Sequence, residues 1–395
     1  MQHARAKVAH ARGHGAQRRA LVLSFSDLRT DPRVKRQLSL LREGFDVTAV
    51  GFGCPDDPEL QCLAVPGPHW SGVAKVAAAC LLAAGCHEAA YRSSRSVKAA
   101  QVALRDKSFD LIVANDIWAL PLALQVKGSA KILFDAHEYA PLEFEESLKW
   151  RFFFQRCNEN LCRRYLPLAD GATTVCEGIA EEYRRVFGVH MAIVHNAPHY
   201  QDLQPSDTQD GPIRLVHHGG AIPSRQLESM IEVMRHLDDR YTLDFVLVPS
   251  VPRYLESLKA TAAGNPRIRF LPPVPMAELP RFLNRYDAGI YLLPPNNFNN
   301  RYSLPNKFFE FVQARLAIVV GPSPEMAAQV RRHRMGMVAE DFTPESFART
   351  ITGLDRRRIT SFKAQTHLAA RELCFERSAE VLTAVIDRML PACAA

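Results

Sequence analysis

Ten residues in the last quarter of the chain, "YSLPNKFFEF" from Tyr302 to Phe311, set a lysine and a glutamate three positions apart among three phenylalanines. A helix beginning here puts Asn306, Lys307 and Glu310 on one face and turns Phe308, Phe311 and Val312 inward. Ser303 or Leu304 is the expected N-cap with Pro305 as the first helical residue, and the first-turn amides and helix dipole favour an anion there. Lys307 can then reach a phosphate or sugar, and Glu310 can accept hydrogen bonds from a ribose diol. The same spacing also serves a surface Lys–Glu pair worth about a few tenths of a kcal/mol, and spacing alone does not choose between them.

A second candidate is "LVHHGGAIPSRQLESMIEVM", in which a strand, a glycine pair and a helix follow one another. Gly219 and Gly220 let backbone amides approach a phosphate, and Arg225 near the helix start suits a diphosphate because a guanidinium binds phosphate oxygens bidentately. The alternative is a tight turn with a solvated arginine.

In the first half, "LSFSDLRTDPRVKRQLSLL" follows a strand without the Gly-rich fingerprint of a dinucleotide site. Asp31 and Arg33 stand where that loop enters a helix, with Asp31 also able to serve as the cap before Pro32. Asp116 ends "FDLIVAND", and Asp135, His137 and Glu138 fall in "DAHEY". No HExxH and no second histidine at ligand spacing accompany them, so His137 is expected to serve a sugar hydroxyl or a developing charge and no metal is expected.

The elements that position these residues are short apolar runs alternating with helical stretches, the pattern of a parallel sheet covered by helices. It runs from "RALVLSF" to "AIVHNAPHY", pauses over the polar residues 201–211, and restarts at "IRLVHHGG". The fold class expected is α/β, with two doubly wound Rossmann-like domains facing a cleft: a basic tail over 1–19, a first domain over 20–200, a linker over 201–211, a second domain over 212–375 and a terminal helix, 376–395, crossing back to the first domain. At strand carboxyl ends, where ligands bind in such sheets, stand the polar residues named above.

Composition narrows the function classes. With 395 residues, 47% hydrophobic and 23% charged, the chain has ordinary globular composition and enough length for two cores. The tail "MQHARAKVAHARGHGAQRRA" carries five of the seven net positive charges, so a specific nucleic-acid partner is not expected. Nine scattered cysteines without a CxxC pair suggest reduced thiols in a cytoplasm, and argue against zinc or a disulfide framework. No apolar run is long enough to span a bilayer. "PHWSGVAKVAAACLLAAGCHEAAYRSSRSVKAAQ" and "LKWRFFFQRCNENLCRRYL" are either helices packed on the core with solvated arginines or weak peripheral contacts with an anionic membrane face. Their apolar positions, which also suit the sheet, favour the first reading.

Taken in order, "TDPRVKRQLSLLREGFDVTAVGF", "FDLIVANDIWALPLAL", "KILFDAHEYAP", "LVHHGGAIPSRQLESMIEVM" and "YSLPNKFFEFVQARLAIVVGPSPEM" resemble the GT-B glycosyltransferases, specifically glycosyltransferase family 4 in its "DPRV"/"LPNKxFE" branch, over nearly the whole chain after the tail. The resemblance implies retaining transfer from a nucleotide-diphosphate donor, a UDP- or GDP-sugar, to a glycan or lipid-linked acceptor in bacterial surface polysaccharide or glycoconjugate synthesis, with no cofactor or metal required. It implies that Gly219, Gly220, Arg225, Ser303, Leu304, Asn306 and Lys307 hold the donor, that Glu310 holds its ribose, and that His137 lies near the sugar, with Asp31, Arg33, Asp116 and Glu138 on the acceptor side. Gly220 stands where the family usually has an arginine, and Tyr302 where it has its first motif glutamate. A non-catalytic nucleotide-sugar-binding module of the same fold and a nucleotide-sugar epimerase remain the competing readings.

Overall fold

The computed structural model describes residues 17–67 and 69–391, so the basic tail up to residue 16 and Cys393 lie outside the described residues. The chain divides into two compact units. One takes in the chain up to Val175, then Ile179–Val194 and the residues from Ala379, while the other comprises Cys176–Gly178 and His195–Ser378.

The first unit is built on β1 (Arg19–Ser24), β2 (Asp46–Gly51), β3 (Gln61–Ala64), β4 (Leu111–Asn115), β5 (Lys131–Ala136), β6 (Gly171–Thr174) and β7 (Ala192–Ile193), in the sheet order β3-β2-β1-β4-β5-β6-β7. All pairs are parallel. Runs such as "ALVLS" and "LIVAN" are buried along their length, as a sheet covered on both faces requires. Leu382, Val385, Ile386 and Met389 of the helix Phe375–Met389 belong to this unit's core, with Val22, Val113, Leu133 and Val194.

The second unit repeats the plan with β8 (Ile213–Gly220), β9 (Tyr241–Val248), β10 (Ile268–Leu271), β11 (Ala288–Tyr291), β12 (Ala317–Val320) and β13 (Gly336–Val338), ordered β10-β9-β8-β11-β12-β13. Its pairs are parallel as well. In both sheets the order reverses beside the unit's first strand, between β1 and β4 and between β8 and β11. At such switch points the connections diverge and open a crevice at the strand carboxyl ends.

Four local expectations change. Pro305 has an extended backbone (φ −80°, ψ 161°) and is itself the N-cap, so the helix runs Asn306–Gln313 and Leu304 is buried before it. Residues 201–211 are strapped down within the second unit rather than forming a free linker. Gln201 N donates to Gln313 Oε1 at 3.0 Å, and the buried Lys363 ammonium donates to Ser206 O, Ser206 Oγ and Tyr286 O at 3.0, 2.8 and 2.9 Å. Cys54 and Cys62 form a disulfide, against the expectation of reduced thiols throughout. The parallel pairing of β2 with β3 sets Cys62 opposite Ala49, and the loop leaving β2 returns Cys54 to a Cα–Cα distance of 5.8 Å. Finally, the helix Gly72–Ala83 buries only Ala78 and Leu82. Apart from Lys75 it is apolar on every side, and one line of contact cannot cover it.

Candidate active site

The second unit's switch point holds a cluster built from β8, β11 and the helix Asn306–Gln313. Every residue from Lys307 to Gln313 is buried, so Lys307 and Glu310 reach the cluster from the interior and not from a solvated helix face. The packing that allows this is tight: a Cβ on Gly289 of β11 would lie 2.5 Å from the Phe311 ring. Only glycine admits the helix so close to the sheet.

Lys307 Nζ lies 3.0 Å from His217 Nε2 and 4.2 Å from the centre of the Tyr291 ring. His217 Nδ1 faces the Ile290 carbonyl at 3.0 Å, which makes Nδ1 the protonated nitrogen and leaves the Nε2 lone pair to accept from the ammonium. Burial, reinforced by Lys307, holds His217 well below its ordinary range and fixes it as this neutral tautomer. Burial and then Lys307 also pull His218 down to about 3. The 3.4 Å approach of His218 Nε2 to Glu310 Oε2 is therefore not an ion pair, and among the described residues this buried Nε2 has no hydrogen-bond partner.

Gly219 stands at φ 118°, a conformation that L side chains rarely adopt. A Cβ there would lie 3.2 Å from Lys307 Nζ and 3.6 Å from Arg225 Nη1, so two cations converge on the space a side chain would fill. Among the described residues neither cation forms an ion pair with a carboxylate. Burial first and the Arg225 charge second push the Lys307 ammonium well below its usual pKa, with Glu310 opposing them. Two near cations at the end of a parallel strand, around a glycine cradle, make a site electrostatically suited to a polyanion.

The structure thus brings together Gly219, Arg225, Lys307 and Glu310, with Gly220 following directly on β8. Arg225 comes from a single turn, Pro223–Arg225, and the helix after it starts only at Glu228 because Gln226 is left-handed. Ser303, Leu304 and Asn306 flank the start of the buried helix. Tyr302 is a packing residue. Its ring lies 4.8 Å from that of Phe298, and a Cβ on Gly178 would collide with it.

In the first unit, a cluster sits at the switch point between β1 and β4. Arg33 is 4% exposed, and its guanidinium grips the buried Asp135 carboxylate at 2.6 and 2.5 Å while donating to Val194 O at 2.8 Å. It is therefore spent inside the core instead of facing an acceptor. Thr173 Oγ1 and Gln37 Nε2 also donate to Asp135, at 2.6 and 2.5 Å. Burial would raise this carboxyl, but Arg33 outweighs it and holds it well below the usual range. Asp31 acts as the cap of Pro32–Leu41, accepting from Arg33 N and Val34 N.

Asp116 follows β4 in a left-handed conformation, φ 62°, and accepts from His137 N at 2.9 Å. His137 Nδ1 lies 3.4 Å from Asp116 Oδ2, and Nε2 lies 3.0 Å from Asn115 Oδ1 and 3.5 Å from Asp135 Oδ2. Burial opposes its charge, but Asp116 and Asp135 prevail and raise it to about 9, so the ring is a cation at neutral pH. Glu138 is exposed beside it. Its folded pKa lies above the unfolded value, so His137 stabilises fully below pH 6.5 and ceases to as pH rises through about 9. Wild type is expected to lose on the order of 5 °C in melting temperature across that window relative to His137→Gln, read by calorimetry on both proteins over pH.

His217, His218, Tyr291, Asn115, Gln37 and Thr173 were not singled out from sequence. The adjacent histidines directly before the glycine pair were the one visible signal. Glu143 was missed as well; burial, with Glu138 and Asp116 adding to it, lifts its carboxyl to about 8.

Residues 212–356 match the family model described as "Glycosyl transferases group 1". No curated protein matches the chain. Among solved structures, sucrose-phosphate synthase from Thermosynechococcus elongatus superposes with a TM-score of 0.71 at 14% identity, covering 94% of this chain and 99% of that one. HepE of Anabaena in complex with UDP and glucose gives 0.64 at 13% identity, with 93% and 99% covered. A UDP-forming α,α-trehalose-phosphate synthase from Burkholderia xenovorans gives 0.68 at 12% identity, with 95% and 100% covered. At these identities the likeness shows the fold, which is that of the GT-B glycosyltransferases.

Proposed function

We propose that this chain is a retaining glycosyltransferase that moves a sugar from a nucleotide-diphosphate donor to a glycan or lipid-linked acceptor in surface polysaccharide or glycoconjugate synthesis. The observation that carries the reading is the convergence of Arg225 and Lys307 on Gly219, where among the described residues neither cation is ion-paired with a carboxylate and Glu310 only partly offsets their charge. A diphosphate supplies the missing charge. Arg225 and Lys307 hold its oxygens, the Gly219–Gly220 backbone lies against it, and Glu310 accepts from the ribose hydroxyls. As the donor bond breaks, negative charge builds on the departing diphosphate, and fixed cations already in place stabilise it. Retention by a front-face path uses that leaving group as the base for the acceptor hydroxyl. His137, kept cationic by its two aspartates, supplies a donor to a sugar hydroxyl or to a developing charge.

UDP is the first diphosphate to test, because HepE is described with UDP and glucose bound and the trehalose-phosphate synthase as UDP-forming. In a thermal-shift panel of UDP, GDP, ADP and CMP, one diphosphate is expected to raise the wild-type melting temperature by about 3–6 °C at saturating concentration and to leave Glu310→Ala unmoved. No shift with any nucleotide overturns the donor site. A second reading, a binding module without turnover, is favoured by the packed Tyr302 where a sugar-contacting glutamate is expected; donor binding without transfer or hydrolysis would select it.

A further inference from the structure

The first unit leaves an apolar surface open to solvent. The helix Gly72–Ala83, "GVAKVAAACLLA", exposes Val73 at 86% and Val76 at 65%. It packs beside residues 151–155, a π-helical turn, and Trp70 just before it lies 6.3 Å from the Phe154 ring. On that neighbouring segment Leu148 is 72% and Phe152 64% exposed, and Phe144 a little ahead is 49% exposed. Isolated exposed hydrophobics need no explanation, but Val73 and Val76 on this helix, with Leu148 and Phe152 on the segment beside it and Phe144 just ahead, are more than soluble surfaces leave open unless something covers them.

Charge on the page says what covers it. From Ser71 to Cys86 the only charged residue is Lys75, and from Ser147 to Arg156 Lys149, Arg151 and Arg156 occur without an acid. The glutamates at 143, 145 and 146 all precede that run. Exposed apolar side chains on two segments whose own charges are all cationic match the boundary between acyl chains and anionic headgroups, with Phe144 set apart among the glutamates. Both segments also leave the sheet at its carboxyl edge, after β3 and β5, the edge that carries Asp116 and His137.

We propose that this face docks peripherally on an anionic bilayer, with Val73, Val76, Leu148 and Phe152 inserted at the headgroup level and Lys75, Lys149, Arg151 and Arg156 meeting lipid phosphates. No helix among the described residues is long and apolar enough to cross a membrane, so the attachment is interfacial. It stands on exposure and charge, independently of the donor site.

The test is co-sedimentation of the full chain with vesicles of phosphatidylcholine alone or mixed with phosphatidylglycerol, at low and high salt. Wild type is expected to pellet with the anionic vesicles and to be released by salt, and Val76→Glu combined with Phe152→Glu to lower the bound fraction about tenfold. Both changes are at exposed positions, and an unaltered melting curve and UDP shift show that the variant is folded and its donor site intact. Three outcomes overturn the proposal: pelleting no greater than without vesicles, equal binding by the variant, which assigns attachment to the basic tail, and a wild-type dimer in sedimentation velocity that the variant abolishes, which makes a second copy the occupant.

Discussion

Replacing Lys307 by methionine is expected to raise the melting temperature of the ligand-free protein by about 2–5 °C and to weaken nucleoside diphosphate binding about a hundredfold. The two effects share one cause. Burial and Arg225 depress the Lys307 pKa, so the charged form costs the folded state more than it costs the unfolded chain. Methionine keeps the length and removes the charge. Its losses are the hydrogen bond to His217 Nε2 and the contact with the Tyr291 ring, roughly 1 kcal/mol each, against several kcal/mol for an uncompensated buried ion. For a base with a lowered folded pKa the penalty is full below that pKa and fades as pH rises towards the unfolded value, so the gap between the two proteins should narrow in alkaline buffer. Calorimetry with and without UDP reads both effects. A variant that melts lower and still responds to UDP would remove Lys307 from the anion site.

The second large effect lies in the first unit. Arg33→Ala is expected to cost about 3–5 kcal/mol, on the order of 10 °C in that unit's melting, because it strands the Asp135 carboxylate with no exposed surface. Thr173 and Gln37 remain as neutral donors, with the His137 cation at 3.5 Å. Converting the pair to Arg33→Met with Asp135→Leu should recover most of the loss, since a buried ion pair contributes little over apolar groups of similar volume. Urea denaturation of the single and double variants measures both. A loss below about 1 kcal/mol for Arg33→Ala would mean that water reaches the pair.

What sequence could show depends on how local the cause is. The central strands were legible because a parallel sheet buried on both faces demands continuous apolar runs, and each run ended in the polar residue that marks its carboxyl end. β3 and β13 escaped because they are short edge strands, only partly buried, whose brief apolar runs do not stand out from a turn or a helix end. At the candidate site, Gly219, Arg225, Lys307 and Glu310 were visible as residue types on recognisable elements. The Arg33–Asp135 grip was not, because its partners are 102 residues apart and only the neighbouring positions of β1, β4 and β5 bring them together. Nor could spacing reveal that the helix carrying Lys307 is buried all round. An amphipathic surface helix and a helix entering a glycine-lined gap share the same pattern until Gly289 is placed under Phe311.

The first unit's core has a consequence for synthesis on the ribosome. Leu382, Val385, Ile386 and Met389 complete the packing around Val22, Val113 and Leu133, yet they are translated after every residue of the second unit. The part of the chain made first is therefore finished last. Until the final turns emerge, its sheet waits with an apolar face uncovered while the later-made unit can already close, and nascent chains stalled before residue 382 should be the species that chaperones hold.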